Sequence, residues 1–238
     1  MKITAIIPAR GGSKTIPKKN SKLFLGKPLL YYSIQQAKKS NYIQRIIVST
    51  DDEELRRISI LYGAEAPFLR PKEISGDLST DLECFQHYLQ WQKEQDPKEI
   101  PDILVQLRPT YPTRKVEVID DCIKTMMEHL DYGCVRTVAK YNFKTPFKMY
   151  TVENKNLCPL FQEYQGIKEP YNCCRQLFPQ IYTANGYLEV IQTKTILIKH
   201  SVSGDKIFPY IMDASCIEDI DTEEEWRQLE KKYKKEKL

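Results

Sequence analysis

Apolar residues recur at two spacings along this chain, and the alternation between them predicts the architecture. Ile3–Pro8 is a short β-branched run ending just before Arg10-Gly11-Gly12, which reads as a buried strand meeting a tight loop. Residues 28–39 read as a helix, with Pro28 at the start and Leu30, Ile34 and Ala37 on one face. Arg45–Ser49 is a second strand. Residues 52–62 follow as a helix with Leu55, Ile58 and Leu61 on one face, stopped by Gly63. Residues 66–69 read as a third strand, 79–93 as a longer helix and Ile103–Gln106 as a fourth strand. The clearest helix spans 115–130, where Ile119, Cys122, Ile123, Met126 and Leu130 make a core stripe. Strands are expected again at 134–138, 187–191 and 206–212. A last helix is expected over 222–235, capped by Asp221 or Thr222 with Glu225 following.

Strand and helix in alternation imply an α/β fold, a mostly parallel sheet flanked by helices on both faces, in a single domain over residues 1–238. Such sheets bind ligands beyond the carboxyl ends of their strands. The loops at 9–20, 49–52, 70–81 and 107–114 all follow predicted strands and are rich in polar residues, so the site is expected there. Periodicity blurs over 142–182, which is rich in aromatic residues and proline and includes Phe143, Phe147, Tyr150, Phe161 and Tyr171. This stretch reads as an excursion that serves as a lid or as a contact with a second copy of the chain.

A chain of 238 residues buries a large core without disulfides or a structural metal. Its seven cysteines form no Cys-x-x-Cys pair, and its three histidines show no zinc-ligand spacing. No apolar run approaches the roughly 20 residues that span a bilayer, and the first residues run straight into a core strand, so a cytoplasmic protein without a membrane partner is expected. The net charge is +4, and the five lysines and two glutamates of residues 230–238 supply most of that excess. That tail reads as a solvated helix end rather than a nucleic-acid patch.

Candidate chemistry concentrates in two places. The first is the loop Ala9, Arg10, Gly11, Gly12, Ser13, Lys14, Thr15, Ile16, Pro17, Lys18, Lys19, Asn20. Its glycines let backbone N–H groups approach an anion, four cations add charge, and Ser13 and Asn20 add donors, a combination suited to a triphosphate. Neither Gly-x-x-x-x-Gly-Lys-Ser/Thr nor Gly-x-Gly-x-x-Gly occurs there. The second is the pair Asp219 and Asp221, which an extended backbone places on one face. Adjacent carboxylates repel unless a cation lies between them, and Mg²⁺ suits a phosphate site. The alternative is that Asp221 simply caps the last helix.

The motifs of this chain, taken in order, resemble those of the acylneuraminate cytidylyltransferases, the CMP-sialic acid synthetases. The resemblance runs from Ile7-Pro8-Ala9-Arg10-Gly11-Gly12-Ser13-Lys14 and Pro17-Lys18-Lys19-Asn20 through Gly26-Lys27-Pro28-Leu29, Ile47-Val48-Ser49-Thr50-Asp51 and Leu69-Arg70-Pro71. It continues through Arg108-Pro109-Thr110-Tyr111-Pro112-Thr113-Arg114, Arg175-Gln176, Asn185-Gly186 and Asp219-Ile220-Asp221-Thr222. It implies a nucleotide-diphospho-sugar transferase-like fold and the joining of CMP, from CTP, to a sialic-acid-like sugar with release of pyrophosphate. It further implies Mg²⁺ on Asp219 and Asp221, nucleotide contacts from Arg70 and Ser79, and catalytic roles for Arg10 and Lys19. Arg108, Arg175, Gln176 and Asn185 are expected around the acidic sugar, in a homodimer that exchanges a segment. Four positions depart from the pattern: Thr15 stands where relatives carry Gly, Arg108 where most carry Gln, Cys174 where Pro or Arg is usual, and Glu218 where an apolar or small residue is usual. Thr15 and Arg108 keep open the same chemistry with another nucleotide or sugar, such as GTP with a hexose phosphate. A non-catalytic nucleotide or sugar binder is the alternative from another class.

Overall fold

Six strands form one mixed sheet in the computed structural model, which describes residues 1–141, 145–214 and 218–235. Asn142, Phe143, Cys216, Ile217 and residues 236–238 of the basic tail lie outside the described residues. In chain order the elements of the main layer are β1 (Ile3–Pro8), α1 (Leu29–Lys39), β2 (Arg45–Ser49), α2 (Glu53–Leu61), α3 (Asp81–Gln95), β3 (Ile103–Gln106), α4 (Val116–Glu128), β4 (Cys134–Lys140), β5 (Tyr182–Gln192), α5 (Thr193–Lys199), β6 (Ile207–Met212) and α6 (Glu223–Lys235). Their order across the sheet is β6-β4-β5-β3-β1-β2. All neighbours are parallel except β5, which lies between β3 and β4 and runs against both.

Side-chain alternation along the strands divides the core in two. Ile3, Ala5 and Ile7 of β1 face the layer that holds Leu30 and Ile34 of α1, Leu55 of α2 and the α4 stripe Ile119, Cys122, Ile123 and Met126. Ile6 of β1 and Leu104 of β3 face the opposite layer, with Phe85, Tyr88 and Leu89 of α3 and Ile196 of α5. Both faces of β1 and β3 are thus covered, which is why their sequences are mostly apolar, with Thr4 and Gln106 the polar exceptions.

The chain leaves β1 for β2 on one side and returns to β3 on the other, so the carboxyl ends of β1 and β3 flank a topological switch point. A third cluster joins Ile16, Phe24 and Leu29 to Ile220, Trp226 and Leu229. It fastens α6 beside the loop that follows β1.

Four sequence expectations need correction. Residues 66–69 form no strand; only isolated bridges Ile47↔Glu65 and Thr50↔Leu69 flank the stretch, and Pro67, which has no N–H, stands between them. Leu61 and Leu130 do not join their helices' buried stripes but are exposed. The long helix starts at Asp81, not Ser79, because Thr80 caps it reciprocally with Glu83. Asn185-Gly186 is not a tight turn but part of β5, where the register with β4 shifts between Ala184 and Glu189.

Between β4 and β5 the chain leaves the sheet and builds two short hairpins, Tyr150–Glu153 with Asn156–Pro159 and Glu163–Tyr164 with Ile167–Lys168. Their two-residue turns, Asn154-Lys155 and Gln165-Gly166, have positive φ at both positions, the geometry that matches strand twist in a hairpin. Phe147, Phe161, Tyr164 and Phe178 make a small aromatic core under them, with ring centroids 4.3–5.1 Å from Phe147.

Candidate active site

A cavity of about 460 Å³ opens at the carboxyl ends of β1 and β3. Three of the four loops expected there line it, and the fourth backs it. The 49–52 turn supports the first loop from behind: Asp51 Oδ1 accepts the Gly11 N–H at 2.9 Å, and Asp52 caps α2 through the N–H groups of Glu54 and Leu55.

The loop after β1 divides into lining and supporting residues. Arg10, Gly12, Ser13, Lys14, Lys19 and Asn20 line the cavity, and so does Thr15. Ala9 is fully buried and donates its N–H to Ser49 O at 3.0 Å, so it lies behind the wall. Gly11 is also outside the lining: its N–H is committed to Asp51, and a Cβ there would meet Asp52 Cβ at 2.8 Å. Gly12, by contrast, has nothing within 4 Å of where its Cβ would be, as expected beside an open ligand space. Asn20 closes the loop by donating from Nδ2 to Arg10 O at 3.0 Å. The left-handed residue of the loop is Lys18, at φ 52°, so Thr15 is spared the positive φ that a β-branched side chain resists.

The acidic pair is held from several directions. Ile220 donates its N–H to Thr110 O and accepts from Lys19 Nζ, each at 3.0 Å, while its side chain is fully buried against Ile16 and Trp226. With Ile220 fixed, Asp219 and Asp221 are both left facing the cavity. Capping does not occupy Asp221. Thr222 Oγ1 accepts the Glu225 N–H, and Glu225 Oε2 accepts the N–H groups of Asp221 and Thr222, so Thr222 and Glu225 form the cap. The Asp221 carboxylate accepts from Lys19 Nζ at 2.9 Å instead. Asp219 Oδ1 is buried and has no hydrogen-bond partner among the described residues. Burial pushes the Asp219 carboxyl above the usual range and the Asp221 charge adds to this, against the Thr110 hydroxyl and Lys19. A buried, unpaired carboxylate oxygen beside a second carboxylate is a donor set that a hard divalent cation fits.

Most cations of the cavity already have an acidic partner. Asp77 takes Arg10 Nη1 on one oxygen at 2.9 Å and Lys14 Nζ on the other at 2.5 Å, and these two contacts hold its carboxyl below the usual range. Lys19 pairs with Asp221. Arg108 Nη2 donates to Asp81 Oδ2 at 2.6 Å. Arg70 is the exception: 7% exposed, it donates from Nε to Ser75 Oγ at 3.1 Å and has no carboxylate within ion-pair distance among the described residues. Ser79 lines the cavity beside it and accepts the Gly76 N–H at 2.9 Å. An uncompensated, nearly buried guanidinium next to a Gly–Lys loop is an anion site in waiting.

Three of the four expected sugar contacts lie outside the lining of this cavity. Asn185 accepts on Oδ1 from Thr137 Oγ1 at 2.7 Å and from the Tyr187 N–H at 3.1 Å, so its amide braces the β5 irregularity. Its neighbour Gly186, at φ 70°, lines the cavity instead. Arg175 lies in the excursion and lines a separate 80 Å³ hollow with Tyr141, Thr145 and Phe178, and Gln176 beside it is exposed.

One residue that sequence reasoning left without a role is central to the scaffold. Arg114 is buried among Tyr187 O (2.7 Å), Gln36 Oε1 (2.6 Å) and Arg108 O (2.9 Å), with the rings of Tyr111 and Tyr187 at 5.5 and 5.4 Å. Burial pushes its guanidinium down to about 10, which leaves it charged at neutral pH. It ties α1 and β5 to the loop that carries Arg108.

Comparison with known proteins bears on this geometry. Residues 4–238 match the family model described as Cytidylyltransferase. A pseudaminic acid cytidylyltransferase from Campylobacter jejuni is 30% identical over 223 residues, 93% of this chain and 92% of that protein. A CMP-N,N'-diacetyllegionaminic acid synthase from Legionella pneumophila is 31% identical over 234 residues, 97% of this chain and 96% of that one. Among solved structures, a CMP:2-keto-3-deoxy-manno-octonic acid synthetase complexed with CTP has the same fold, with a TM-score of 0.68 at 14% identity, over 99% of this chain and 100% of the other.

Proposed function

The chain belongs to the cytidylyltransferase family, and from that premise we propose that it joins CMP, from CTP, to a nonulosonic acid of the sialic-acid type. The anomeric hydroxyl of the acceptor attacks the α-phosphorus of CTP and gives up its proton. The bond from that phosphorus to the bridging oxygen breaks, and pyrophosphate leaves. One observation carries this reading: a basic Gly–Lys loop and an acidic pair some 200 residues apart meet in one cavity, joined by the Lys19–Asp221 contact.

The protein's contribution is positioning and charge neutralisation, as in other phosphoryl transfers. Arg10, Ser13, Lys14 and Lys19 hold the triphosphate, with Arg70 and Ser79 on the nucleotide. When triphosphate arrives, its oxygens replace the Asp77 carboxylate on Arg10 and Lys14. Asp219 and Asp221 hold Mg²⁺, which when bound neutralises charge on the phosphates. The protein works in the cytoplasm as a homodimer, and among the described residues no helix is long and apolar enough to cross a membrane.

The test is pyrophosphate release by the purified protein with CTP, Mg²⁺ and a panel of nonulosonic acids. Release is expected with at least one acceptor. Correctly folded protein that releases none with any pairing would overturn the reading.

A further inference from the structure

Arg108 and Asp81 meet across the cavity wall from different elements. Arg108 lies two residues beyond β3, and Asp81 is the first residue of α3. Their side chains are 41% and 31% exposed, so the pair is part of the wall and reachable from the cavity. Each partner is fixed by contacts of its own. The reciprocal cap of Thr80 and Glu83 sets the first turn of α3, whose positive end suits the Asp81 carboxylate. Arg108 O accepts from Ser33 Oγ at 3.2 Å and from the buried Arg114. Arg108 Nε is buried and has no hydrogen-bond partner among the described residues. Gly186 stands beside it, where a Cβ would lie 3.9 Å from Arg108 Cδ and Nε, an ordinary van der Waals distance.

Arg108 is expected beside the acidic sugar, and a guanidinium in that place suits a sugar carboxylate. Here the guanidinium already holds one, at 2.6 Å. A second carboxylate would be drawn by Arg108 and repelled by Asp81 at similar range, for little net gain. What the pair presents is a donor edge and an acceptor oxygen side by side with no net charge. A single glutamine would offer the same two functions in one neutral amide. We infer that Asp81 and Arg108 act as one unit that recognises an uncharged polar substituent of the acceptor, a hydroxyl or an acylamino group, and that Asp81 determines acceptor specificity. The inference rests on the reading of this cavity as a cytidylyltransferase site.

The experiment is a double-mutant cycle on acceptor KM and CTP KM, using Asp81→Asn, Arg108→Gln and both together, with an acceptor that the wild type uses. Each single variant leaves one charge without its partner, so acceptor KM is expected to rise about tenfold. The double variant restores a neutral donor–acceptor pair and is expected within about threefold of wild type, a coupling typical of contacting residues. CTP KM should move by less than about twofold, which a general loosening of α3 would not spare. Asp81→Glu, which keeps the charge, should retain more acceptor affinity than Asp81→Asn. Losses that simply multiply in the double variant, or an unchanged acceptor KM in both single variants, would overturn the inference. So would an improved acceptor KM in Asp81→Asn, since Arg108 would then be a carboxylate receptor that Asp81 restrains. A shift in CTP KM alone would assign the pair to the nucleotide and overturn it too. If the wild type uses no acceptor, the functional reading falls and takes this inference with it. If the wild type turns over and the cycle is additive, only the inference falls.

Discussion

Ile220 separates two carboxylates with different surroundings, and that difference makes the acidic pair testable one residue at a time. Asp219 has a buried oxygen with no hydrogen-bond partner among the described residues, whereas Asp221 is 65% exposed and meets Lys19. Because Thr222 and Glu225 provide the helix cap, Asp221→Asn removes charge without removing the cap. Stability should therefore change by no more than about 0.5 kcal/mol, as for other exposed positions. Turnover at limiting Mg²⁺ should fall by about a hundredfold or more in Asp221→Asn and Asp219→Asn, with partial recovery at high Mg²⁺, because a neutral amide is a poor ligand for a hard cation. Kinetics across a Mg²⁺ titration, alongside melting curves, check this. Near-normal turnover of both variants at limiting metal would reduce the pair to structural roles. The carboxylates at 219 and 221 were legible as a pair because two-residue spacing is local. Asp77 and Asp81 were not, because their partners Arg10 and Arg108 lie 67 and 27 residues away.

Strands β1, β2 and β3 lie where their apolar runs place them, since burial along nearly their whole length fills them with apolar side chains. The stretch at 66–69 has the same composition but carries a proline and reaches β2 only at its ends, so composition alone misled. The loop after β3 depends on a side chain rather than on strand pairing. Arg114 satisfies three acceptors from α1, β5 and the loop itself. Lysine cannot reproduce that planar fork. Arg114→Lys is expected to cost about 3 kcal/mol, roughly 10 °C in Tm for a chain of this size. Urea and thermal unfolding measure it, and a loss below about 1 kcal/mol would show that the fork is dispensable.

At the scale of the whole molecule, the excursion between β4 and β5 leaves Val152, Leu157 and Leu177 at 73%, 67% and 58% exposure, more apolar surface than its aromatic core requires. Aromatic and apolar side chains of this kind belong in interface cores. Light scattering at micromolar concentration should give about twice the 27.9 kDa chain mass. The mass of one chain would leave the excursion as a lid or satellite core. The sequence by itself determined the alternating elements, the two-sided core and the basic loop, because each is written in residues close together along the chain. Only the tertiary structure decided that β5 enters the sheet antiparallel between β3 and β4, since strand order depends on long-range pairing that local periodicity does not record. It alone decided that Asn185, Ala9 and Gly11 support the cavity from behind while Gly186 and Gly12 open onto it. Neighbours in sequence face opposite ways, and which side is solvent is settled only when distant segments pack. The same holds for charge: composition counts cations, but packing determined that Arg10, Lys14, Lys19 and Arg108 have carboxylate partners and that Arg70, among the described residues, has none.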